Sequence, residues 1–282
     1  MLLREWEMSH MANYSPLRYP GGKGKMYNQT VKILEDNNLI GCTYIEPFAG
    51  GANLALNLLF KEKVRKIILN DFDKAIYAFW FSILNDAPTF IEMIKNVEVS
   101  LEERERQKEI YNNERDDLLK LGFATFYLNR TNRSGIIKGG PIGGKNQDSK
   151  YLIDCRFNKD NLIERIEKIY SERKKIKIYN KDAMVFLKRK FKADAFLFID
   201  PPYYVKGAEL YENSFTNREH KKIARRIKKL SVPWVLTYDY VDEILDMYSF
   251  CNKKEYELSY TVENKRIGNE VMFFNDTLAV DF

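Results

Sequence analysis

Five consecutive apolar residues, Ala195-Phe196-Leu197-Phe198-Ile199, run without a break into Asp200-Pro201-Pro202-Tyr203-Tyr204. So short and so uniformly apolar a run reads as a buried strand of a parallel sheet. The two prolines that follow fix the backbone and remove two N–H donors, which leaves carbonyls free to accept hydrogen bonds. Beside them stand one carboxylate and a flat ring. An acceptor pair next to a stacking surface suits a planar amine, such as the exocyclic amino group of a nucleobase. A plain surface turn would use Pro-Pro equally well.

The rest of the chain supplies partners for that strand. Further strands are predicted at Tyr44–Glu46, Lys66–Asn70, Ile176–Tyr179, Trp234–Thr237, Lys254–Tyr260 and Val271–Phe274. Helical patterns fall between most of them, as a doubly wound α/β sheet requires. Only a polar stretch, 263–269, separates the last two, so they are expected to form an antiparallel hairpin with that stretch as its turn. Hydrophobic residues make up 45% of the 282, which marks a globular chain with ample core.

Tyr44-Ile45-Glu46-Pro47-Phe48-Ala49-Gly50-Gly51-Ala52-Asn53 has the order strand, glycine-bearing turn, helix. Small residues at such a turn let the backbone approach a nucleotide-like ligand closely, although the spacing is not that of a dinucleotide fingerprint. About twenty residues on, the strand Lys66–Asn70 ends at Asp71, a position suited to holding ribose hydroxyls. Asp71 would serve equally as a cap for the helix beginning near Asp73. Asp182 follows the strand Ile176–Tyr179 and opens a helical pattern, so a helix cap accounts for it as well as a ligand contact does.

Between roughly Lys74 and Lys159 no parallel strand is predicted. The segment 100–120 reads as an exposed helix and 123–128 as a buried one. Asn129-Arg130-Thr131-Asn132-Arg133-Ser134-Gly135 then leads into a Gly- and Lys-rich stretch containing Lys138 and Lys145. A flexible loop with amide, guanidinium and ammonium donors can follow a phosphate backbone or enter a groove. Gly139 to Lys145 also fits the start of a phosphate-binding loop. Asn146 stands where Ser or Thr would bind magnesium, and no apolar strand precedes it, so nucleoside-triphosphate binding is disfavoured.

Taken together, Pro16-Leu17-Arg18-Tyr19-Pro20-Gly21-Gly22-Lys23, the Glu46–Gly51 turn and Asp200-Pro201-Pro202-Tyr203 resemble the D12 class of DNA adenine-N6 methyltransferases, the group containing the Dam enzymes. The resemblance runs from about residue 14 to about residue 276 and includes Asn129-Arg130-Thr131, Asp154-Cys155-Arg156-Phe157-Asn158, Ser214-Phe215-Thr216 and Ile267-Gly268-Asn269-Glu270. It implies a class I methyltransferase sheet (Rossmann-like), S-adenosylmethionine as methyl donor and double-stranded DNA as partner. Residues 11–73 and 160–282 would form the catalytic domain, 74–159 an inserted target-recognition region, and 1–10 an N-terminal extension.

By the same resemblance, Asp200, Pro201, Pro202 and Tyr203 carry the chemistry. Tyr19, Lys23, Glu46, Phe48, Gly50, Asp71, Asp182 and Asp200 contact the cofactor. Lys23 also reads as an ordinary surface lysine and Phe48 as ordinary core. Asn129, Arg130, Asn132, Arg133, Lys138 and Lys145 are the expected DNA contacts, joined by Lys265 and Arg266 in the turn of the final hairpin.

A basic helix from His220 to Lys229, capped by Thr216 or Asn217, reads chiefly as a solvated exterior helix. The net charge of +6 suits a polyanionic partner but is diluted by 40 acidic residues. Three scattered cysteines and two histidines point to no metal site, and no apolar run reaches membrane-spanning length, so a cytoplasmic location is expected. The resemblance is compatible with a separately encoded cognate restriction endonuclease as partner and equally with an orphan or phage-borne enzyme that has none. Two other functions use the same residues. One is methylation of a planar amine in RNA or in a protein glutamine, and the other is a non-catalytic DNA-binding module.

Overall fold

A computed structural model of the chain describes residues 12–18, 26–205, 215–262 and 264–281, with the backbone alone for 257–269. Its seven strands are β1 (Thr43–Glu46), β2 (Lys66–Asn70), β3 (Ile176–Tyr179), β4 (Ala195–Ile199), β5 (Trp234–Asp239), β6 (Asn252–Val262) and β7 (Asn264–Phe274). They form one sheet in the order β3-β2-β1-β4-β5-β7-β6. Neighbours from β3 to β5 are parallel, and β7 runs antiparallel to both β5 and β6. That order, with its one reversed strand, is the class I methyltransferase sheet that the resemblance implies.

The apolar run at β4 explains why the sheet is covered on both sides. Successive side chains of a strand point to opposite faces. Phe196 and Phe198 enter one core, while Ala195, Leu197 and Ile199 enter the other. All five are essentially inaccessible. Truncating a buried Phe of this kind to Ala typically costs ~3–5 kcal/mol.

Helices cover both faces. α1 (Tyr27–Asp36), α2 (Asn53–Phe60), α3 (Lys74–Asn85), α4 (Ala87–Asn96), α5 (Leu101–Asn113), α6 (Leu118–Thr131) and α7 (Lys159–Ser171) come in chain order, followed by α8 (Ala183–Phe186), α9 (Asn217–Ile227) and α10 (Asp242–Met247). The segment 74–159 folds as the four helices α3 to α6 followed by a long loop. Phe79, Trp80, Phe90, Phe123 and Phe126 share the core that holds Phe196 and Phe198. α9 and α10 lie in the other layer through Ile223, Ile227 and Ile244. Among the described residues no helix is long and apolar enough to cross a membrane.

Three expectations change here. The polar stretch 263–269 is not an open turn, because β6 and β7 pair up to Val262 and Asn264. A two-stranded ribbon satisfies its backbone whatever the polarity of its side chains, so composition does not mark where it ends. Lys265 and Arg266 accordingly stand within β7, opposite Thr261 and Tyr260. The exposed helix expected over 100–120 breaks after Asn113, and it buries Arg104, Gln107 and Tyr111.

The Gly-rich loop is stitched rather than free. Asn132 bridges to Pro141. The Gln147 amide donates to the carbonyls of Ile142 and Gly144 at 2.8 and 2.6 Å, and its oxygen accepts from Ile153 N at 2.8 Å. No strand leads into Gly139 and no helix follows Lys145, so the phosphate-loop geometry is absent.

Candidate active site

The parallel strands end at one edge of the sheet, and acidic residues gather there. Glu46 ends β1, Asp71 follows β2, Asp182 follows β3, Asp200 follows β4 and Asp239 ends β5. Antiparallel pairing brings Glu270 of β7 directly opposite Asp239. Carboxyl ends of strands in open α/β sheets are where ligands bind.

Asp200 is oriented by its neighbour strand. The Thr237 hydroxyl donates to Asp200 Oδ1 at 2.6 Å. The segment beyond the prolines is pinned by Asp239, whose two oxygens accept the backbone N–H groups of Tyr204 and Val205 at 2.9 and 2.8 Å. Tyr203 is pinned through its tip, its hydroxyl donating to Glu270 Oε2 at 2.9 Å. Burial, with the nearby charges of Asp200 and Glu270, drives the Tyr203 phenol well above its ordinary range, so it stays a neutral donor.

A second layer supports that loop. Asn217 donates to the Tyr204 hydroxyl at 2.7 Å, and the Tyr204 ring lies 5.1 Å from the His220 ring. His220 Nδ1 is 2.8 Å from the Tyr238 hydroxyl. Burial lowers the His220 pKa and keeps the ring neutral. Thr216 caps α9 through a full capping box with Glu219, as one of the two expected caps.

The glycine turn after β1 is equally constrained. Gly50 has φ +48° and Ala52 has φ +47°, a left-handed path that a small residue adopts at least cost. The Trp80 indole donates to Gly50 O at 2.9 Å, and Gly50 N donates to Asp71 Oδ2 at 2.8 Å. Asp71 also accepts from Asp73 N, whereas the helix cap of α3 is Asp73 itself. Asn70, fully buried, donates to the carbonyls of Pro47 and Lys181 at 3.0 Å each and so ties the loops after β1, β2 and β3 together.

Glu46 is buried and accepts from the Tyr44 hydroxyl at 3.0 Å. Phe48 is partly buried, 5.9 Å edge-on from the Phe215 ring. Asp182 caps α8 through Met184 N and Val185 N. Phe72, unremarked in the sequence, is 56% exposed between Asp71 and Asp73. Tyr19 and Lys23 lie outside the described residues, as do 1–10.

Three of the expected DNA contacts are buried. Asn129 clasps the Arg18 backbone, accepting from its N–H and donating to its carbonyl at 2.7 Å each. Arg130 donates to Pro16 O at 2.6 Å, and burial together with Arg165, Arg18 and Arg156 lowers its basicity. Asn132 accepts from Arg104 Nε at 2.7 Å and donates to the carbonyls of Ile136 and Ile137.

These side chains fasten α6 to the segment 16–18 and to its own following loop, and they face no solvent. Gly135 belongs to the same clasp. Its φ is +77°, and a Cβ there would lie 2.5 Å from Arg18 O. Arg133, Lys138 and Lys145 are exposed beyond it. Lys265 and Arg266 are described by backbone alone.

Comparison with known proteins agrees with the geometry. Residues 19–264 match the family model described as D12 class N6 adenine-specific DNA methyltransferase. The chain is 26% identical over 265 residues to the type II methyltransferase M.MjaIII of Methanocaldococcus jannaschii, covering 85% of this chain and 89% of that one. It is also 26% identical over 272 residues to the type II methyltransferase M.CviBI of Paramecium bursaria Chlorella virus NC1A, covering 90% and 95%. Among solved structures, a putative RNA methyltransferase from Pyrococcus horikoshii is 9% identical, with 98% of each chain covered and a TM-score of 0.47. The fold rests on the strand order rather than on so loose a likeness.

Proposed function

The chain belongs to the D12 class N6 adenine-specific DNA methyltransferase family, and from that premise we propose that it methylates adenine within one short sequence of duplex DNA, acting on a base turned out of the helix. The support is the pair formed by Asp200, oriented by Thr237, and Tyr203, anchored by Glu270, at the end of the central strand.

Extruding the base costs about a few kcal/mol. The Tyr203 ring would stack on it, a contact worth ~1–3 kcal/mol per base. The Asp200 carboxylate and the Pro201 carbonyl would accept the two hydrogens of the amino group, which turns its lone pair out of conjugation. In-line positioning at an acidic edge then supplies much of the rate.

S-adenosylmethionine, when bound, supplies an electrophilic methyl group on a cationic sulfonium. The residues present fit it. Gly50 would allow close backbone approach, Asp71 would take the ribose hydroxyls, and exposed Phe72 and Asp182 would flank the adenine. Glu46 and Phe48 would line the same pocket, and Tyr19 and Lys23 would meet the methionine end. Arg133, Lys138 and Lys145, together with Lys265 and Arg266, are the proposed DNA contacts, with 74–159 as the recognition region. A separately encoded endonuclease reading the same sequence would complete a restriction–modification pair.

The test is methyl transfer from labelled S-adenosylmethionine to unmethylated duplex DNA, with modified bases mapped and Asp200→Ala run alongside. N6-methyladenine at one motif, lost in the variant, is the expected result. No adenine methylation by the native chain would overturn it.

A further inference from the structure

We propose that the outer face of α9 is a second DNA contact, a track for the phosphate backbone that leads into the active site. This inference rests on duplex DNA being the substrate. α9 divides cleanly. His220, Ile223, Ala224 and Ile227 are buried, whereas Arg218, Lys221, Lys222 and Arg225 are exposed on the opposite side. The exposed four recur at i, i+3, i+4 and i+7, which places them on one face.

They line a groove of about 430 Å³ together with Asn217. Among the described residues none of the four is paired with a carboxylate. Glu219 is engaged with Thr216 in the capping box, and Arg226 is turned inward onto Leu187 O at 2.9 and 2.6 Å. Glu243 and Asp246 of α10 line the neighbouring groove with Lys221, Arg225 and Lys228, and so bound the track on that side.

Position is the second observation. The helix starts at Asn217, which holds the Tyr204 hydroxyl beside the catalytic loop. A strand entering the site along the helix therefore meets Arg225 first and Arg218 last. At 1.5 Å per residue these two stand roughly 10 Å apart along the axis. One DNA strand carries a phosphate about every 3.4 Å of axis, so the row matches about three phosphates. Apart from Glu219, which is held in the capping box, no acid of α9 is interspersed among these cations as it would be along a salt-bridged solvated face.

Duplex binding by the full chain, measured by anisotropy between low and high salt, tests this. The triple variant K221Q/K222Q/R225Q is compared with K174Q/K190Q/K192Q, which removes the same charge at exposed positions preceding β3 and β4, at the opposite edge of the sheet. The track predicts that the slope of log K against log salt falls in magnitude by about 3 for the α9 variant, equally for cognate and non-cognate duplexes, and by much less for the control. KM for DNA should rise while kcat at saturating DNA holds. Unchanged slope in the α9 variant, or equal loss in both variants, would overturn the proposal. If the native chain neither binds nor methylates DNA, the functional reading itself has failed, and the α9 track fails with it.

Discussion

The Glu270 carboxylate holds the tip of Tyr203, accepting its hydroxyl at 2.9 Å through an oxygen that also accepts the Tyr256 hydroxyl at 2.9 Å. Both phenols are driven well above their ordinary range, first by burial and then by nearby carboxylate charge. The ring on which a flipped base would stack is therefore fixed from a strand 67 residues away.

Glu270→Gln keeps the shape but removes the charge that strengthens both hydrogen bonds, each worth ~1.5–3 kcal/mol. We expect kcat to fall on the order of 10-fold with KM for the cofactor little changed. Tyr203→Phe should reproduce that loss, and the double variant should be no worse than either. Additive losses in steady-state kinetics would mean that the two residues act separately. Tyr203→Ala removes the ring as well and should cost roughly 10- to 100-fold in kcat/KM.

Asp239→Asn leaves one acceptor where Tyr204 N and Val205 N need two. An unmet buried donor costs ~1–3 kcal/mol, and these partly buried ones should lie at or below the low end of that range. Thermal denaturation should show that loss, and transfer should fall more steeply than DNA affinity because the catalytic loop is displaced.

Arg130→Gln and Arg133→Gln should part company. Arg130 is buried against Pro16, so its loss should lower the melting temperature and leave the salt dependence of DNA binding intact. Arg133 is exposed, and its loss should do the reverse. Identical salt slopes for native, Arg130→Gln and Arg133→Gln would remove Arg133 from the interface.

His220 carries a pH signature. Its folded pKa lies below the ordinary 6.5, chiefly through burial. Above that pH the ring is neutral in both folded and unfolded chains and adds no slope. As pH falls below 6.5 the unfolded chain takes up a proton that the folded one resists, so stability declines. His220→Asn should flatten that decline relative to the native chain in denaturant midpoints measured across the range.

Phe72→Ala should raise KM for S-adenosylmethionine several-fold while leaving stability nearly unchanged, because the ring is more than half exposed. Equilibrium binding of the cofactor reads this directly.

What the sequence determined by itself was whatever local chemistry dictates. The uninterrupted apolar run made β4 a doubly covered strand, and its sequel put a carboxylate and two prolines at the strand's end. The turn after β1 and the boundaries of β2 and β3 were legible for the same reason, since period and punctuation are properties of neighbouring residues.

The tertiary structure alone decided which polar groups would be buried. Asn129, Arg130 and Asn132 look like groove readers in a polar heptapeptide, yet α6 turns them inward against Pro16, Arg18 and Arg104. Thr237 and Asp239 carry no local mark, and Glu270 has only its place in a resembling tetrapeptide; all three acquire their roles because β5 is laid beside β4 and β7 beside β5. A hydrogen bond spanning 28 to 114 residues leaves no periodicity behind it. It becomes visible once the sheet order places the partners within about 3 Å of each other.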